Sequence, residues 1–145
     1  MGPCASARRR CPVISSVTIS PPPPPSAAAF SAVAYYFGNK VAAAENVPIG
    51  LIQVAVGGSP TESWIDEKVL ARDERFAGLL SNWEQSELVM EWCRERAAVN
   101  NAHAKGRYQL HPFQPGYNYK AGIAPLTDFP VAGVIWYQGE SNVQN

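Results

Sequence analysis

Residues 49–62 read IGLIQVAVGGSPTE, and this stretch sets the expected architecture. Ile49 to Val56 is a short, nearly continuous apolar run, the pattern of a strand buried on both faces of a parallel sheet. Gly57 and Gly58 stop the run. Ser59 and Pro60 then predict an N-cap followed by proline at the first helical position. The same grammar returns at residues 131–142, VAGVIWYQGESN, where a second buried strand from Val131 to Gln138 ends in the polar segment Gly139, Glu140, Ser141 and Asn142. Upstream, Phe30, Val33, Ala34, Phe37 and Val41 recur at helical spacing and predict an amphipathic helix over 27–45. Helix, buried strand, glycine turn and helix start together make an α/β pattern with parallel strands.

Between the two strands, residues 66–104 read as mainly helical. Asp66 is a possible cap, and Trp83 to Ala104 is the longest segment. Leu88, Trp92 and Val99 give that segment an apolar face, while Glu84, Glu87, Glu91, Arg94, Glu95 and Arg96 read as its solvated side. A loop rich in aromatics and prolines follows from His111 to Tyr119. Tyr108, Phe113, Tyr117 and Tyr119 could stack on sugar rings or simply bury area.

Residues 1–26 differ from the rest. Arg8, Arg9 and Arg10 form a basic triplet, and Pro21 to Pro25 are consecutive prolines, which favour polyproline II. They are expected to be a disordered Arg/Pro-rich leader to a domain spanning 27–145. Pro12, Ser15, Ser16, Thr18 and Ser20 interrupt the apolar region that a signal peptide needs.

The chain has 145 residues, the size of one domain, and 46% are hydrophobic, enough for a core. Twelve Lys and Arg balance twelve Asp and Glu, for a formal net charge of zero. That argues against an overall basic nucleic-acid or membrane-surface binder. No run approaches a membrane span. Cys4, Cys11 and Cys93 are an odd, scattered set that gives neither a disulfide framework nor a zinc pattern.

Both strands run into glycine-containing polar segments, and open parallel sheets bind ligands beyond the carboxyl ends of their strands. Glycine lets a backbone N–H approach a ligand closely, and such N–H groups form oxyanion holes. An ordinary turn would also explain Gly57 and Gly58. Ser141 and Ser59 both fail the nucleophile-elbow pattern, because Val143 and Thr61 occupy the final glycine slot. His103, in a helix tail, and His111, in the aromatic loop, sit in no Asp-x-x-His arrangement, so no triad assembles from local motifs. Two isolated histidines and unpaired cysteines give no metal-ligand spacing.

Four segments read together resemble the sialate O-acetylesterase family, SGNH-type carbohydrate esterases with a flavodoxin-like α/β/α fold. They are residues 30–38 (FSAVAYYFG), 47–53 (VPIGLIQ) with Gly57 to Pro60, 121–126 (AGIAPL) and 133–142 (GVIWYQGESN). The resemblance implies hydrolysis of O-acetyl groups from sialic acid or related sugars, an O-acetylated carbohydrate as partner, and no cofactor or metal. Gly57 and Gly58 match the family's glycine block, and Gln138, Gly139, Glu140 and Asn142 match its third block. Gly58 is then the expected oxyanion N–H, with Gln138 or Asn142 as the side-chain donor. Glu140 is expected to hold its loop through buried hydrogen bonds. Relatives are often exported.

The family's nucleophile stands in a Gly-Gln-Ser-Asn segment and its base in an Asp-x-x-His segment. Neither sequence occurs where the resemblance puts it, before Phe30 or after Asn142. The chain therefore reads as an internal slice of the esterase domain, an incomplete sandwich expected to be inactive alone and to fold marginally or associate. Two other readings stay open from the sequence: a non-catalytic carbohydrate-binding remnant, and an interaction protein using its proline run.

Overall fold

Residues 14–18, 28, 30–103 and 110–143 are described by a computed structural model, and they divide into two compact units that part between Ala55 and Val56. Most of the described chain is helical.

In the first unit, strand β1 (Ile14–Thr18) pairs with strand β2 (Gly50–Val54). Helix α1 (Ala32–Glu45) lies between them in sequence and packs with β2. The helix begins where Ser31 Oγ accepts the Ala34 N–H at 3.4 Å, and it stops at Asn46, whose left-handed backbone (φ 52°) closes the last turn. The Ser31 N–H donates to Gln53 Oε1 at 2.6 Å, tying the start of α1 to β2. Ala34, Tyr35, Gly38, Val41 and Ala42 form the covered stripe, whereas Val33 and Phe37 point outward. The predicted helix is present, but its covered face is rotated from the expected one. Phe37 falls on the open side, and glycine takes the most buried position.

The strands correct three expectations. β1 and β2 run antiparallel, with Ile14 opposite Val54 and Thr18 opposite Gly50, not parallel. β1 also lies inside the leader expected to be disordered. Its ISSVT sequence is rich in β-branched and hydroxyl residues, which suit a strand once a partner edge is available. The rest of that leader, with its proline run, lies outside the described residues, as do Cys4, Cys11 and Tyr108. β2 is half-buried instead of buried on both faces, as a two-stranded ribbon allows.

A fourth correction concerns residues 131–138. Residues 131–137 are exposed and form no regular hydrogen-bonded structure, with Trp136 at 59% and Tyr137 at 90% of full exposure. Apolar sequence makes a strand only against a partner edge, and among the described residues none lies alongside this run.

The second unit is built from short helices around one core. Asp66 caps α2 (Glu67–Leu70) by accepting the Lys68 N–H at 2.8 Å. Then come α3 (Ala77–Asn82) and α4 (Glu91–His103). The predicted continuous segment from Trp83 is broken, because Ser86 is extended and its Oγ accepts the Leu88 N–H. Leu79, Trp83, Val89, Cys93, Ala97 and Phe113 make the core. On α4 the buried face is therefore Cys93 and Ala97, one residue on from the expected Trp92. Leu88, Trp92 and Val99 are at least a third exposed.

His111 belongs to this core. Its ring stacks on Trp83 at 6.0 Å and meets Phe113 edge-on at 4.8 Å. Nδ1 accepts the Phe113 N–H at 3.1 Å, which leaves the ring proton on Nε2. The Asn100 side-chain amide, 2.9 Å from Nε2, then turns its oxygen to the ring. Burial, with a smaller push from Arg96, lowers the His111 pKa below its ordinary 6.5. Protonation would also break the bond from Phe113. Below about pH 6.5 the unfolded chain therefore takes up a proton that the folded chain refuses, and stability present above that pH is lost as pH falls toward the lowered value. Urea midpoints measured from pH 7 to pH 5 should fall, and His111→Gln should flatten that slope. Parallel slopes in the two proteins would assign the loss to another group.

Candidate functional site

The turn after β2 is shaped by one glycine. Gly58 has φ +75°, and a Cβ built on it would run into Cη2 of Trp92 on α4. Both facts demand glycine here. Gly57 is different, since a Cβ there meets nothing. The Ser59 N–H closes the turn on the Val56 carbonyl at 3.2 Å. Ser59 Oγ donates to that same carbonyl at 2.8 Å and accepts from Trp64 Nε1 at 2.8 Å. Buried and doubly bonded, Ser59 is neither the expected N-cap nor a nucleophile. Pro60 takes the cap position of the short helical turn Thr61–Trp64.

The second turn comes back onto the first. Gly139 adopts φ +127°, and the Asn142 N–H reaches its carbonyl at 2.9 Å, closing the helical turn Glu140–Asn142. Asn142 Oδ1 accepts the Thr61 N–H at 2.9 Å, which fixes the amide's orientation. Nδ2 of Asn142 then donates to the Glu62 carboxylate, 3.1 Å from each oxygen. Gln138 Nε2 donates to the Ser59 carbonyl at 2.8 Å. Thr61 Oγ1 lies 2.5 Å from Gln138 Oε1 and 2.8 Å from Asn142 Oδ1, and its single proton serves one at a time.

Beneath both turns, the Gly58 carbonyl accepts from Ser141 Oγ at 2.9 Å and from Cys93 Sγ at 3.7 Å. Burial pushes the Cys93 thiol up, so it stays protonated and able to donate.

The structure thus brings Gly57, Gly58, Gln138, Gly139 and Asn142 together. Glu140 does not fill its expected part, because it is exposed, and Glu62 is the carboxylate that holds the loop. Ser141 is buried and spends its proton on Gly58, which removes it as a nucleophile. His103 is exposed, with Nδ1 2.7 Å from the Val99 carbonyl. Thr61, Glu62, Trp92 and Cys93 were missed by sequence reasoning. For the first two a signal existed, since they directly follow the glycine turn. Trp92 and Cys93 reach the site only through the placement of α4. Among the described residues no group of three or more His, Cys, Asp or Glu could hold a metal ion, and no helix is long and apolar enough to cross a membrane.

Chemically, the paired turns offer donors. The N–H groups of Gly57 and Gly58 have no partner among the described residues, and both residues are exposed. The Gln138 amide carries a second N–H beyond the one it gives the Ser59 carbonyl, and the Asn142 amide carries one where a single N–H is shared between the two Glu62 oxygens. This is an array of fixed neutral donors, not a set of groups that exchange protons.

A family model for a carbohydrate esterase, sialic acid-specific acetylesterase, matches residues 24–145. The chain is 31% identical to the sialate O-acetylesterase of Rattus norvegicus over 120 residues, covering 74% of this chain and 21% of that protein. It is 29% identical to the sialate O-acetylesterase of Mus musculus over 115 residues, covering 74% of this chain and 20% of that one. No solved structure matches it. The chain belongs to the sialic acid-specific acetylesterase family of carbohydrate esterases, and it spans about a fifth of the length of the curated relatives it matches.

The two glycines should respond differently to the same substitution. Gly58→Ala should cost about 1–3 kcal/mol from the left-handed backbone alone, with the Trp92 collision added to it. Gly57→Ala should be near neutral. Urea unfolding of the two variants beside the parent checks this, and equal losses would contradict it.

Proposed function

We propose that these residues supply the oxyanion side of a carboxylic-ester hydrolase that removes O-acetyl groups from sialic acid or related sugars, within an α/β fold of the flavodoxin-like SGNH type. The observation that carries this reading is the Asn142 amide. The Thr61 N–H anchors it at one end and the Glu62 carboxylate at the other, in the turn that Ser141 Oγ ties to the Gly58 carbonyl. When a nucleophile attacks an acetyl ester, the carbonyl oxygen gains negative charge. Donors that are already oriented stabilise that charge without reorganising, and each is worth about 3 kcal/mol of the barrier. In this proposal the Gly58 N–H and the Asn142 amide are the donors, with Gln138 holding the Ser59 carbonyl and so the first turn.

The attacking serine and its base are the work of the family's Gly-Gln-Ser-Asn and Asp-x-x-His segments, which these 145 residues do not contain. An oxyanion hole without a triad retains only a small part of the rate enhancement.

Two measurements on the 145-residue chain test the reading. It should hydrolyse 4-nitrophenyl acetate no faster than a heat-denatured control. In ¹H–¹⁵N spectra, an O-acetylated sialic acid should move the Gly57, Gly58 and Asn142 side-chain amides more than the deacetylated sugar does. Shifts indifferent to the acetyl group would sink the oxyanion assignment, and turnover would sink the division of labour.

A further inference from the structure

A cavity of about 430 Å³ opens beside Gly57, within the ~300–1,000 Å³ range usual for small-molecule sites. Arg96, Asn100, Asn101 and His103 line it from α4, with Gly57 and Phe113 among the groups across from them. Arg96, Asn100 and His103 stand four and three residues apart, so they form one stripe of the helix. None of the described residues that line the cavity is Asp or Glu.

Arg96 is unlike a surface arginine placed for solubility. Its helical neighbours at three and four residues are Trp92, Cys93, Val99 and Asn100, and none is acidic. The one ion pair among the described residues joins Arg75 to Asp73, so the Arg96 guanidinium has no carboxylate partner there. The amides around it are already held. Asn100 is bonded to His111, and Asn101 Nδ2 donates to Glu84 Oε1 at 2.8 Å. Among the described residues, a wall with an unpaired guanidinium, positioned amides, an aromatic ring and no acid complements an anionic polyhydroxylated ligand. A guanidinium prefers a carboxylate, which it can bind through two parallel N–H bonds.

We infer that this cavity binds the carboxylate of an acidic sugar and that Arg96 is its recognition residue. The inference rests on the oxyanion reading for the ligand's direction. Gly57 belongs to both the turn and the cavity wall, so a sugar with its acetyl ester at Gly58 extends its ring toward α4 and its acid group to Arg96. Arg96 then sets the preference for acidic over neutral sugars without touching the reacting atoms.

The test is a titration of the intact chain by ¹H–¹⁵N spectroscopy and calorimetry, with N-acetylneuraminate and its neutral methyl ester as probes. The acid should bind about tenfold more tightly than the ester, the factor expected of one charge-assisted pair. Arg96→Gln should lose that factor for the acid and leave the ester unchanged, and Arg96→Lys should recover part of it. Arg96 is exposed, so neither variant should alter the melting temperature. Equal affinity for acid and ester, an unaltered Arg96→Gln, or no binding of the acid would each overturn the inference. Failure of the oxyanion reading has a separate signature: the acid preference survives while the Gly57 and Gly58 amides ignore the acetyl group. That outcome supports the carboxylate site and removes only the ligand's assigned direction.

Discussion

The carbonyl oxygen of Gly58 is the joint of the second unit. It accepts the Ser141 hydroxyl from the 138–142 turn and the Cys93 thiol from α4, while the Trp92 ring closes the space under its α-carbon. Three segments far apart in sequence meet at one peptide. A neutral hydrogen bond contributes only about 1 kcal/mol net, so no single contact here is decisive. The constraint comes from sharing: the peptide cannot turn to suit one partner without losing the others. Thr61, Glu62 and Gln138 add bonds between the same two turns, and the polar groups hold each other in place.

That economy explains why the site is rich in polar residues yet poor in proton carriers. Ser59, Ser63, Asn118 and Ser141 are buried, and each is tied to protein atoms. Asn118 reaches both Ser63 Oγ and the Pro112 carbonyl, and the Gly116 N–H reaches the Glu62 carbonyl, so the aromatic loop braces the segment that follows the glycine turn. The histidine of that loop is neutral because it serves the same brace. Oriented donors on a braced frame are what charge stabilisation requires, since a donor that must rotate during the reaction loses much of its worth.

The charged residues from 84 to 96 divide in the same way. Glu84 is engaged with Asn101, and Arg96 lines a cavity with no acid among its described residues. Residues that read alike in sequence as a solvated stripe thus differ in what they face. Exposure of Val131, Val134, Ile135, Trp136 and Tyr137 carries a related lesson, because apolar character shows what a segment would bury and leaves open against what.

Much was legible from residue order. Local rules placed α1, the Asp66 cap and the glycine turn, because capping and backbone sterics act over a few residues. The 57–60 and 138–142 segments meet through side-chain bonds and not as the ends of two strands in one parallel sheet, while the family was legible in residues 133–142. Other features depended on distant partners. Which face of α1 and α4 is covered, whether 131–138 joins a ladder, the antiparallel mate of β2, and the roles of Ser141, Glu62, Cys93 and Arg96 all turn on what lies across from them. A residue's type limits the bonds it can make, but only the folded chain determines which partner stands within 3 Å to make them.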